Sequence, residues 1–206
     1  MLDNIESLGH ACIRFNKENK VIYVDPFNIK KEYNDADIIF ITHSHYDHYS
    51  YKDIVKVIKD DTIMVVTTDL YEEVSKYCNA IAVEPNKEYT VSGVNFKTVW
   101  AYNSDNSFHP KESNWVGYII RLEGNKYFIA GDTDITEDNK VVRCDVAFVP
   151  VGGTYTMNST QAAKLVNIIG PAVAVPIHYG SIIGNEENAL DFIEEVDGVT
   201  RIYMMM

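Results

Sequence analysis

The sequence predicts an α/β protein in which two packed β-sheets carry helices on their outer faces. Three observations predict it. Short alternating or β-branched runs recur along the chain, stretches of helical period separate groups of them, and the composition is 46% hydrophobic over 206 residues. That length and composition fit one domain, 1–206, with a well-buried core.

The elements follow in order. Ala11–Phe15 (ACIRF) alternates, Val21–Val24 (VIYV) is apolar and Asp37–Thr42 (DIIFIT) is β-branched; all three read as strands. Pro26 in "DPF" ends the second, because proline cannot donate to a ladder. Ser50-x-x-Asp53 has the form of a capping box, with Ile54, Val55 and Ile58 on one face of the helix it would start. Thr62–Thr67 reads as a strand and Asp69–Tyr77 as a short helix with an acidic start. "YTVSGVNFKTVWAY", "WVGYIIRL", "KYFIAG" and "DVAFVPV" are strand signals punctuated by Gly and Asn. Ser159 is placed to cap a helix carrying Ala162, Ala163, Val166 and Ile169, stopped by Gly170-Pro171. "AVAVPIHYG" reads as a buried strand, Asn185–Val196 as an acidic helix with Leu190 and Ile193 inward, and "TRIYMMM" as a closing strand.

The formal net charge of −12 repels phosphate backbones and anionic lipid, so nucleic acid and membrane are not the expected partners; a small molecule is. "MLDNIESLGHACIRF" lacks a basic region followed by an apolar one, and no run approaches the roughly 18 apolar residues of a membrane span. Cys12, Cys78 and Cys144 form no CxxC pair and read as reduced thiols of a cytoplasmic protein. Oligomeric state stays open, a homo-oligomer included.

The chemistry concentrates in "FITHSHYDHYS". Three of the six histidines and an aspartate fall between His43 and His48, between a buried strand and a capped helix. If the strand end stays extended, His43, His45 and Asp47 project to one side and His48 to the other. Imidazole and carboxylate suit zinc, manganese or iron. The bland alternative is a polar loop with coincidental histidines.

The run resembles the HxHxDH signature of the metallo-β-lactamase superfamily. "SLGHACIRF", "VDPF", "AYN...FHP", "GDTD", "PVGGTYTM" and "PIHYG" extend the likeness over nearly the whole chain, toward the branch of ascorbate-6-phosphate lactonase-like and general metal-dependent hydrolases. The resemblance implies a four-layer αββα sandwich of two mixed β-sheets. It also implies a binuclear hydrolase in which His43 and His45 hold one divalent ion, Asp47 and His48 a second, Asp132 bridges them and His178 completes the set. Zinc is the expected metal, with manganese or iron as alternatives. A metal-bridging water or hydroxide would attack a small-molecule ester, lactone, amide or phosphodiester, with lactones or phosphorylated substrates slightly favoured.

On their own, Asp132 also reads as a turn residue and His178 as a core histidine. Where a further histidine ligand is expected the chain has Asn103, with His109 six residues on; His109 is preferred because imidazole binds such metals better than an amide oxygen. Asp47 and His10 are the catalytic candidates, Asp47 orienting the nucleophile or taking its proton and His10 lining the site. Asp25 is placed to orient a ligand imidazole, or merely ends a strand. Gly152-Gly153-Thr154-Tyr155 offers either amides for a substrate anion or a plain turn. Two other functions remain open: a non-catalytic metal-binding scaffold, and a di-iron redox enzyme of the same fold, whose signature has a carboxylate where this chain has His45.

Overall fold

The computed structural model describes residues 1–105 and 108–204, so the end of "TRIYMMM" and part of "AYNSDNSFHP" lie outside the described residues. The first sheet has the order β1-β2-β3-β4-β5-β6, from β1 (Ile5–Gly9), β2 (Cys12–Lys17), β3 (Lys20–Val24), β4 (Ile38–Phe40), β5 (Ile63–Thr67) and β6 (Asn79–Val83). The second has the order β13-β12-β11-β10-β9-β8-β7. Its strands are β7 (Glu88–Val91), β8 (Val94–Trp100), β9 (Val116–Leu122), β10 (Asn125–Ile129), β11 (Val146–Pro150), β12 (Val173–Ile177) and β13 (Arg201–Ile202). Both are mixed. β3 to β6 run parallel, as do β10 to β13, and the remaining neighbours are antiparallel.

Period-two alternation gives the central strands two apolar faces here. Ile13, Phe15, Ile22, Val24, Ile38 and Phe40 face Phe96, Tyr118, Tyr127 and Phe148 across the middle of the sandwich. On the outer side of the first sheet, Tyr23, Ile39, Ile41, Met64 and Val66 pack under α1 (Tyr51–Ile54) and α2 (Tyr71–Val74). On the outer side of the second, Phe128, Ala147, Val149 and Ala174 pack under α3 (Ser159–Ile169) and α4 (Glu186–Glu195). The result is the expected αββα sandwich, with two of its four helices only one turn long.

Several local expectations change. β1 and β6 were not anticipated; each has only one or two fully buried side chains, so their alternation is weak. Ser50 does not cap α1: its hydroxyl donates to Asp53 Oδ2, and the Asp53 carboxylate accepts the amides of Asn28 and Ile29. The buried positions there are Ile54 and Val57, while Val55 is exposed. Asp69 lies outside α2 and accepts from Trp115 Nε1. The cap of α3 is Asn158, one residue before Ser159, in a reciprocal box with Gln161. In α4, Ala189 and Phe192 face inward, whereas Leu190 and Ile193 are solvent-exposed.

Strand polarity positions the site. β1, β3 and β4 point the same way, as do β8, β10, β11 and β12, and their C-terminal ends meet along one edge of the sandwich. Two main-chain hydrogen bonds join the sheets there, His178 N to His10 O (2.9 Å) and Val116 N to Thr42 O (3.1 Å).

Candidate metal centre

Six strands that end on that edge deliver the chemical groups. His10 follows β1, Asp25 follows β3, Thr42 to His48 follow β4, Asn103 and His109 follow β8, Asp132 follows β10, and His178 follows β12. Crevices at the carboxyl ends of strands are where open α/β sheets place ligands. His10, Asp25 and His178 all take positive φ, at 54°, 46° and 59°. Such backbone costs energy in a non-glycine residue, and it turns three side chains off their strands toward one point.

His43, His45 and Asp47 do not converge through extended alternation. The strand stops at Phe40 and the chain turns, His45 O accepting the amides of His48 (3.0 Å) and Tyr49 (2.8 Å). The turn sends the side chains to different neighbours. His43, His45 and His109 form one group, with His43 Nε2 and His45 Nδ1 3.1 Å apart. Asp47 joins His10, His48 and His178 in a second, and Asp132 joins His43 and His48 in a third. Within each group the nearest donor atoms lie within 4.8 Å of one another. Asp132 stands between the sets: its carboxylate is 3.1 Å from His178 Nε2, 3.3 Å from His48 Nε2 and 3.3 Å from His109 Nε2.

Those three Nε2 atoms are buried yet have no partner in hydrogen-bond geometry. Buried polar atoms are otherwise almost always satisfied, so three unsatisfied imidazole nitrogens around one carboxylate fit a bound cation. The donor set, imidazoles with two carboxylates, suits zinc, manganese or iron.

For His43, His48 and His109 the surrounding hydrogen bonds fix which ring nitrogen faces inward. Asp25 Oδ2 accepts from His48 Nδ1 (2.7 Å), leaving His48 Nε2 toward Asp132. Thr42 donates its single hydroxyl proton to the same Oδ2 (2.7 Å), so its oxygen accepts His43 Nδ1–H at 3.0 Å, and His43 Nε2 faces inward. Asn103 does the same for His109. Its Oδ1 accepts both the main-chain amide (2.9 Å) and Nδ1 (2.8 Å) of that residue. Its Nδ2 is spent on Asp134 Oδ1 and Tyr155 O. Of the two candidates, therefore, His109 is in the cluster and Asn103 lies behind it. His10 Nε2 donates to Asp47 Oδ2 (2.9 Å). Thr42 was not singled out from sequence; its only signal was its place at the strand end immediately before His43.

The electrostatics are those of carboxylates among imidazoles. Burial and the neighbouring His48 push His43 well below its ordinary pKa. Burial alone would raise Asp132, but His178 and His48 outweigh it and hold the carboxyl far below the carboxylate range. Asp47 is likewise held down against burial, by His10 and His178. Burial opposes a charge on His178, yet Asp132 beside it raises that ring to about 9. Asp47 and Asp132 are thus ionised at neutral pH, as ligands for a cation must be.

The glycine turn is largely bonded within itself, as a plain turn is. The Gly153 amide donates to Met157 O and the Tyr155 and Thr156 amides to Gly153 O. Gly152 serves packing instead: a Cβ there would lie 2.4 Å from the carbonyl oxygen of His178. Three aromatic side chains, Tyr46, Phe108 and Tyr155, line the opening beside the cluster. Trp115 packs on His43 and His45 at 5.0 and 4.8 Å between ring centres.

The family model described as "Beta-lactamase superfamily domain" matches residues 4–178. The UPF0173 metal-dependent hydrolase of Thermoplasma volcanium is 31% identical over 186 residues, 84% of this chain and 82% of that protein. The crystal structure of a proposed metal-dependent hydrolase from Parabacteroides distasonis superposes with a TM-score of 0.87 at 28% identity, covering 98% of this chain and 91% of that one. Igni18, a metallo hydrolase of Ignicoccus hospitalis, shares the fold with a TM-score of 0.79 at 20% identity, over 98% and 94% of the two chains.

Proposed function

The chain belongs to the metallo-β-lactamase superfamily and is a metal-dependent hydrolase of that fold, and from this premise we propose that it works with two divalent ions on a small-molecule ester, lactone, amide or phosphodiester. One ion would be held by His43, His45 and His109 and the other by Asp47, His48 and His178, with the Asp132 carboxylate available to both sets. The observation that carries this reading is the gathering of eight side chains, His10 among them, into three overlapping groups, with three unsatisfied Nε2 atoms beside Asp132. Bound ions supply Lewis-acid polarisation of the scissile group and activation of a water. His45, an imidazole where di-iron relatives of the fold carry a carboxylate, supports hydrolysis over redox chemistry.

The protein's own groups have separate tasks. Asp25, Thr42 and Asn103 hold three imidazoles in the tautomer that presents Nε2. His10 holds Asp47 through Oδ2. Because Asp47 is kept strongly acidic, it orients the attacking water as a hydrogen-bond acceptor and is a poor final resting place for its proton. The net reaction adds hydroxyl to the acyl or phosphoryl atom and returns the proton to the leaving group.

Elemental analysis of purified protein tests the reading. Two equivalents of zinc, manganese or iron are expected, falling to one or fewer in Asp132→Asn with loss of esterase, lactonase or phosphodiesterase activity. Well under one equivalent, with no loss of metal in His43→Ala, overturns it.

A further inference from the structure

Resting on that reading, we propose that the substrate is a small neutral molecule whose non-reacting part is apolar or aromatic, and that substrates with an anionic tail are discriminated against. The opening beside the cluster encloses about 210 Å³, below the roughly 300–1,000 Å³ of pockets for drug-sized ligands. His45, Asp47, His109 and Asp132 form its floor, and Tyr46, Phe108, Tyr155 and Ile182 form its walls. These four wall residues are between 37% and 66% exposed, in a protein whose other large apolar side chains are mostly buried. Exposed apolar surface gathered at the mouth of a site marks a place where ligand is covered.

The charge pattern points the same way. On the floor, the ions of that reading would offset the charges of Asp47 and Asp132, so the tail is selected by the walls, which among the described residues are Tyr46, Phe108, Tyr155 and Ile182 and carry no formal charge. Lysine and arginine take no part in the lining. A phosphate laid on these walls would lose hydration with no side-chain cation there to replace it, whereas an apolar tail gains by burial there. Lys52 lies behind this rim, its Nζ 6.0 Å from the ring centre of Phe27, which in turn meets Tyr46 at 6.2 Å.

The wall is fastened to the metal centre. Phe108 stands edge-on to Tyr155 with ring centres 4.7 Å apart. Asn103 accepts the Phe108 amide on Oδ1 and donates through Nδ2 to Tyr155 O, while its Oδ1 also holds His109. One amide side chain thus sets the aromatic pair and a ring of the cluster in register, so a tail on the wall fixes where the scissile bond sits.

A matched pair of substrates tests this. The zinc-loaded protein is assayed with γ-octanolactone and with the same lactone bearing a phosphate at the end of its butyl tail. The expected result is at least about tenfold higher kcat/KM for the neutral lactone, with the advantage reduced in Phe108→Ala at unchanged zinc content. Calorimetric titration with the corresponding γ-lactams, which resist hydrolysis, reads the same preference as affinity. Tighter binding or faster turnover of the phosphorylated member overturns the inference, most directly if Lys52→Ala removes that preference. Failure to hydrolyse either lactone with zinc in place counts against the hydrolase substrate range, while the lactam affinities still decide the tail.

Discussion

Asn103 shows how much one uncharged side chain can organise. Its Oδ1 receives Nδ1 of His109 at 2.8 Å and its Nδ2 is committed to Asp134 and Tyr155, so the imidazole has one tautomer and one orientation. Removing such a partner of a metal-binding histidine typically costs 10–100-fold in metal affinity or activity. Asn103→Ala is expected to weaken binding of one ion by about that factor while the other is retained, which competition with a chromophoric chelator would measure. Cys12 illustrates the opposite case, a chemically capable group made inert. Burial pushes its thiol up to about 12. With an unfolded thiol near 9, the native state holds the proton longer between those values, so Cys12 lowers stability as pH rises from about 9 to 12 and has no effect below. Native protein should therefore react with a thiol reagent at Cys12 only on unfolding, and denaturation midpoints should fall across that alkaline range.

Among the elements, α3 and α4 are the helices long enough to have true ends, and both begin with asparagine. Asn158 accepts the Gln161 amide while Gln161 Oε1 accepts the Asn158 amide, and Gly170 at φ 60° closes the other end of α3. Asn158→Ala is expected to cost about 1 kcal/mol, or about 2–4 °C in Tm for a chain of this size, read by thermal circular dichroism. Ser and Asn are equally good caps, so sequence alone does not separate Asn158 from Ser159; in the fold Ser159 is buried and its hydroxyl donates to Asn188 O in α4 instead. The same competition explains α4, where Leu190 and Ile193 gave way to Ala189 and Phe192. An acidic helix with four apolar residues admits more than one inward face until its neighbour is known.

For the molecule as a whole, the site is a joint between two sheets. Its histidines and aspartates come from β1, β3 and β4 on one side and from β8, β10 and β12 on the other. Two ions bound across that edge would tie the layers together. Chelation is expected to lower Tm by about 5–10 °C: saturation at a hundred times Kd is worth about 2.7 kcal/mol, and each kcal/mol moves a chain of this length by about 2–4 °C. Differential scanning calorimetry with and without chelator measures it, and an unchanged midpoint would show that the ions do not hold the sheets.

The sequence by itself determined the chemistry and most of the layers. Four of the seven proposed ligands fall within His43–His48, where spacing marked them, while Asp132 and His178 each follow an apolar strand and were marked by the resemblance to the superfamily, not by spacing alone. Strand period likewise marked most of the sandwich. Only the tertiary structure decided the pairing. Asp47 met His10 and His178 because the chain turns at His45, His109 displaced Asn103 because a loop closes back on β8, and Thr42 and Asn103 became orienting groups. The physical reason is range. Residue type and local period are properties of neighbours in sequence, whereas which ring nitrogen faces which carboxylate depends on strand ends brought together from positions up to 168 residues apart, as His10 and His178 are.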